Sequence, residues 1–145
     1  MSVIFLLPFA AAIVATIVGM VWYGPLFGKF YMQVMGVSPE LAEINKQNNK
    51  KDMMKRVGID FVMSFILFLG FLTLMSYFVG TALVAVKFAV VFWLFIIMPN
   101  KATSAIWSNK SNKDSWMLFG LTAGYSLVIF LIVAPMFVGL MNLLS

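Results

Sequence analysis

Four stretches of this chain are apolar almost without a break, and nearly every charged residue lies between them. They cover about residues 3–23, 57–78, 83–107 and 116–141, the third ending in a polar continuation. At about 1.5 Å of rise per helical residue, each can cross a hydrocarbon layer of roughly 30 Å. Lipid offers no hydrogen bonds to the backbone, so such a run has to be helical. The pattern predicts an all-α polytopic membrane protein: four transmembrane helices in an antiparallel bundle, one transmembrane domain over residues 1–145. The first run lacks a basic leader and exceeds a signal-peptide core, so it reads as a retained helix.

The pattern changes after the first span. Trp22 and Tyr23 suit the headgroup level, and Gly24-Pro25 is expected to break the helix. From Leu26 to Met35 the bulky apolar residues fall at 26, 27, 30, 31, 34 and 35, with Lys29 and Gln33 opposite. That spacing predicts a short interfacial helix, with Gly36 as its C-terminal cap. Ser38-Pro39-Glu40 reads as a helix start. The polar stretch behind it becomes basic over Lys50 to Arg56 and is expected to run into the second span as a helical loop. Gly80-Thr81 is a tight turn, and 108–115 a polar loop.

Composition agrees with lipid as the main solvent: 63% of residues are hydrophobic and 10% charged, against roughly 25% charged in a soluble domain. The net charge of +5 changes the picture only through its placement. Lys29, Lys46, Lys50, Lys51, Lys55 and Arg56 separate spans one and two, Lys110 and Lys113 separate three and four, and the Gly80-Thr81 turn has no charge. The positive-inside rule then puts the two basic loops in the cytoplasm and both termini outside, in a cell inner membrane. Basic residues beside apolar spans point to anionic lipid headgroups rather than nucleic acid. No cysteine and no histidine is present, which removes thiol and imidazole chemistry and the usual zinc ligands. The remaining acids show no partner pattern, so no enzyme, cofactor or metal site is expected.

Ionisable residues inside spans are the exception that asks for a function. Counted outward from the Gly80-Thr81 turn, Asp60 and Lys101 lie at equal depth and are expected to pair, directly or through water. The bland reading is that each reaches the interface alone. Beside Lys101, Pro99 interrupts the third span, and Asn100, Thr103, Ser104 and Trp107 share one face. Polar broken helices often line a cavity, although this segment also reads as a helix end entering the interface. Lys87, one turn below the outer end of span three, either snorkels outward or presents a cation to a pore. Ala11, Ala15 and Gly19 form a small-residue stripe, and Gly120 and Gly124 a GxxxG, placed for close packing within one protomer or between two.

The run Trp22-Tyr23-Gly24-Pro25-Leu26-Phe27-Gly28-Lys29 resembles the signature of a family of small bacterial membrane proteins of unknown function with four predicted spans. Tyr31-Met32, Met35-Gly36 and Ala123-Gly124-Tyr125 are similar to further elements of that pattern, whereas the Asn/Lys/Ser-rich loop 108–115 departs from it. The resemblance implies a fold and no activity. Physically the signature is a corner: aromatics anchor it, Gly24-Pro25 turns it, Gly28 permits close backbone approach and Lys29 meets lipid phosphates. It reads either as topological punctuation or as a binding corner.

Two functions fit these expectations. One is a non-catalytic accessory or scaffold protein binding lipid or a membrane partner. The other is a subunit of an oligomeric channel or transporter for an ion or small solute. A homo-oligomer or a membrane protein partner is expected in either case.

Overall fold

A computed structural model describes residues 3–38, 40–41, 44, 50–78 and 80–144. Four helices are long and apolar enough to cross a membrane: Phe5–Leu26, Met54–Phe78, Ala82–Ile106 and Asn112–Leu143. Span one is α1 (Val3–Val21) continued by a π-helical turn, Trp22–Leu26. A short α2 (Gly28–Met35) follows. Span two is α3 (Lys50–Phe78), one uninterrupted helix that includes the basic segment before it. Span three joins α4 (Ala82–Phe92), a second π-helical turn (Trp93–Ile97) and α5 (Met98–Ile106). Span four is α6 (Asn112–Leu144). Pro39 and residues 42–43 and 45–49 of the expected helical loop lie outside the described residues.

The element ends follow local chemistry. Gly36 sits at φ 69° and closes α2 with two reversed bonds, Gly36 N–H to Gln33 O and Val37 N–H to Met32 O. This is the double carbonyl capture for which a left-handed glycine is favoured. Ser38 accepts the Leu41 N–H, and Thr81 accepts that of Val84 to start α4. Ser111 accepts the Asp114 N–H and donates to the Asp114 carboxylate, a reciprocal cap for α6.

One expectation needs correction. Gly24-Pro25 does not break the first span, which runs on to Leu26. Proline lacks an N–H and crowds an α-helix, but a wider turn makes room for it. Here Phe27 N–H reaches back five residues to Trp22 O at 2.9 Å, and the chain turns at Phe27. Pro99 is likewise absorbed, by the π-helical turn just ahead of it. Span three is therefore rewound rather than broken.

Span four is the hub. It packs against spans one and three and against α2, and span one packs against span two. Leu121, Ile129, Phe130, Val133, Phe137 and Val138 of span four are buried. Ala85 and Ala89 are fully buried on span three, so it can lie close to span four. The backbones of spans two and three, by contrast, have no extensive contact. Phenylalanines bridge them toward the Gly80-Thr81 end: Phe71 lies 5.0 Å from Phe92 and 5.9 Å from Phe88, and Phe78 stacks on Phe88 at 6.1 Å. Phe130 closes the cluster from below, 4.7 Å from Phe71. Beyond it, toward the lysine-rich end, the seam between spans two and three opens.

Candidate functional site

The opening is a groove of about 380 Å³, within the range of roughly 300–1,000 Å³ typical of small-ligand pockets. Its two rims are spans two and three. Asp60 and Ser64 stand on one, and Asn100, Lys101 and Ser104 on the other. Tyr125, Ser126, Ile129 and Phe130 of span four form the floor with Ala15 of span one. Apolar side chains line it further from the charges, notably Met63, Leu67, Phe68 and Ile97. The groove is thus polar at one end and apolar at the other.

The polar groups of the floor are already satisfied. Tyr125 donates to Ala15 O at 2.8 Å. Ser126 donates to Ala123 O and accepts the indole N–H of Trp93 at 3.0 Å. On span three the Ser104 hydroxyl donates to Asn100 O. The rims differ. Among the described residues, the side chains of Asp60, Ser64, Asn100 and Lys101 make no hydrogen bond to protein, and no ion pair joins Asp60 to Lys101. Asp60 and Asn100 are exposed and Lys101 half-buried. All four belong to helices long and apolar enough to cross a membrane. Ionisable groups within a span are costly to leave without water or a partner, so Asp60 and Lys101 ask for one or the other.

The structure therefore brings Asp60, Asn100, Lys101 and Ser104 together around one groove and leaves Thr103 out. Thr103 lies about 100° round the helix from Ser104. It is exposed, and its hydroxyl bonds back to Pro99 O at 3.0 Å. The face toward the groove is Ile97, Asn100, Lys101 and Ser104; Trp107, past the end of α5, does not line it and is 82% exposed. Ser64, Tyr125 and Ser126 carry no charge and break no periodicity, so only the fold adds them to the site. Lys87 is exposed on α4, remote from the groove lining.

The corner forms a second assembly. Trp22 donates its indole N–H to Leu121 O at 3.2 Å, and Tyr23 packs against both Tyr125 and Tyr31. A Cβ on Gly124 would sit 3.3 Å from the Trp22 ring, and one on Gly19 would sit 2.9 Å from the Tyr125 hydroxyl. These two glycines therefore seat aromatics of their own chain. Nothing lies within 4 Å of a Cβ at Gly120. Gly28 is buried, and a Cβ there would lie 2.8 Å from the Tyr23 carbonyl oxygen. Gly24, Pro25 and Lys29 are exposed on the outer side. Lys110 of the third loop donates to Val34 O at 2.9 Å, so a cation caps the negative end of α2.

Among the described residues no cluster of metal-ligating side chains occurs. No curated protein and no solved structure matches the chain. Its sequence does match a family profile, "Protein of unknown function (DUF1761)", over residues 7–138, nearly the whole bundle and both halves of the corner, and the chain belongs to that family.

Proposed function

We propose that this integral membrane protein is a non-catalytic accessory protein that binds a membrane lipid in the groove between spans two and three. The observation that carries this reading is the groove's polarity. Charged and amide side chains without protein partners among the described residues stand at one end and apolar side chains at the other, between two helices whose backbones stay apart. A lipid entering sideways would place its headgroup among the first and a chain along the second. The lysine-rich end faces the cytoplasm in this reading, so the ligand comes from the inner leaflet. Lys29, Lys55 and Arg56 would hold anionic headgroups around it.

Photo-crosslinking tests the reading. A phospholipid with a diazirine in its acyl chain, reconstituted with the protein, should label peptides containing residues 60–68 and 97–104. Label spread evenly over the outward faces of all four spans would refute a groove ligand. Because the chain has no cysteine, orientation is testable in the same membranes. Lys113→Cys should react with an impermeant maleimide only after permeabilisation, and Ser145→Cys without it.

A second reading, a subunit of an oligomeric channel or transporter, would have the open groove face a shared axis. The phenylalanine cluster that closes the groove toward the Gly80-Thr81 end argues against a through-path in one protomer. Solute flux in liposomes that is lost in Lys101→Met would favour this second reading.

A further inference from the structure

Resting on the groove-ligand reading, we infer that the site selects a phospholipid with a zwitterionic headgroup bearing a primary ammonium and a phosphate, the ethanolamine type. Charge and hydrogen-bonding capacity on the two rims are complementary to such a headgroup. The groove holds one carboxylate, Asp60, and one ammonium, Lys101, on opposite rims. Its formal charge is zero, yet both signs are separately presented. A purely anionic headgroup would meet Lys101 but also Asp60. A simple cation would meet the reverse conflict. A headgroup carrying both charges a few bonds apart satisfies both rims.

The uncharged neighbours refine the choice. Ser64 stands one helical turn from Asp60 on the same rim, and its hydroxyl has no protein partner among the described residues. The Ser104 hydroxyl has given its proton to Asn100 O and keeps its lone pairs. Ser64 can accept an N–H beside the Asp60 carboxylate, and Ser104 can accept one from across the groove. A quaternary ammonium has no N–H to give and prefers a cage of aromatic faces. Of the aromatics that line the groove, Phe68 and Phe130 stand toward its apolar end and Tyr125 alone feels the Asp60 charge, one face rather than a cage. On the other rim, the Lys101 ammonium and the Asn100 amide are donors suited to phosphate oxygens.

A lipid rather than a soluble zwitterion follows from the remaining lining. Met63 is 56% and Leu67 39% exposed on span two, and they continue the groove from Asp60 into the apolar zone. A solute with no chain would leave that half unfilled. The molecule also contains its own contrast. A second cavity of about 240 Å³, bounded by Leu7, Leu72, Thr73, Ser76 and Phe137, has two hydroxyls, both bonded to backbone carbonyls of their own helix. That cavity offers a headgroup nothing.

The test is competitive lipid retention. The full chain in nanodiscs of equimolar phosphatidylethanolamine, phosphatidylcholine and phosphatidylglycerol is released into mild detergent, and the bound lipid is read by native mass spectrometry. The wild type should retain the ethanolamine lipid over each of the others by roughly tenfold, the worth of one charge-assisted hydrogen bond. Asp60→Asn leaves Lys101 unopposed and should invert the preference toward phosphatidylglycerol. If Asp60→Asn fails to fold, Asn100→Asp makes the reverse change at an exposed site and should weaken phosphatidylglycerol further. Equal retention of all three lipids by the wild type, or an unchanged order in the variant, overturns the headgroup assignment and leaves the groove ligand standing. Retention of no lipid overturns both. Displacement of bound lipid by millimolar glycerophosphoethanolamine overturns the lipid source in favour of a soluble zwitterion.

Discussion

Two seams of this bundle use opposite means. The corner between span one, α2 and span four is filled by tryptophan and tyrosine rings, seated on glycines and tied by long-range hydrogen bonds to Leu121 O and Ala15 O. The seam between spans two and three is bridged by phenylalanines at one end and held apart at the other, where, among the described residues, the side chains of Asp60, Ser64, Asn100 and Lys101 have no protein partner. The first seam spends its polar atoms on holding the fold. The second leaves them available. The comparison separates the most distinctive stretch of sequence, Trp22 to Lys29, from the place where a ligand fits. The signature's Trp22 and Tyr23 back Tyr125, one residue of the groove floor.

That division predicts a graded response to substitution. The largest loss of stability is expected for Gly28→Ala. Its Cβ would fall 2.8 Å from a backbone oxygen that cannot swing aside, and overpacking of this kind costs about 2–3 kcal/mol. Reversible unfolding in mixed micelles measures it, and a loss below that of Tyr125→Phe would break the account of the corner. Tyr125→Phe should come next. It removes the bond to Ala15 O and leaves that carbonyl in its helix, for about 1 kcal/mol. The smallest effect is expected on the other seam. Ser64→Ala, Asn100→Ala and Lys101→Met remove no protein hydrogen bond and should each stay within about 0.5 kcal/mol of wild type. A loss of several kcal/mol in Lys101→Met would mean that a buried ion pair holds this seam after all.

The four spans were legible because lipid leaves the chain few choices, and apolar length decides most of them. The α2 helix and its Gly36 cap were legible for the same local reasons, a one-sided pattern and a left-handed glycine. Gly24-Pro25 misled because its signal is the missing N–H. Sequence does not say whether a helix answers that by stopping or by widening, and here the Phe27 to Trp22 bond widens it. The shared groove of Asp60 and Lys101 could be anticipated from equal depth. Whether they would touch could not, since that depends on how far apart spans two and three are held by Phe71, Phe88 and Phe92. Thr103 was included by a face drawn one residue off, because periodicity gives a stripe's width but not where its neighbour lies. Tyr125 and Ser126 were invisible as site residues because nothing local sets them apart from other polar residues in a span.

The π-helical turn Trp93–Ile97 has a consequence for insertions and deletions. Such a turn houses one residue more than an α-helix needs between the same two flanks. Loss of Leu94, Phe95 or Ile96 can therefore be absorbed by rewinding to α geometry, with Trp93 and Lys101 kept in phase. Loss of a single residue between Met98 and Asn100 has no such slack, and would swing Lys101 about 100° away from the groove. Length changes in this span should be tolerated at one turn and not at the next.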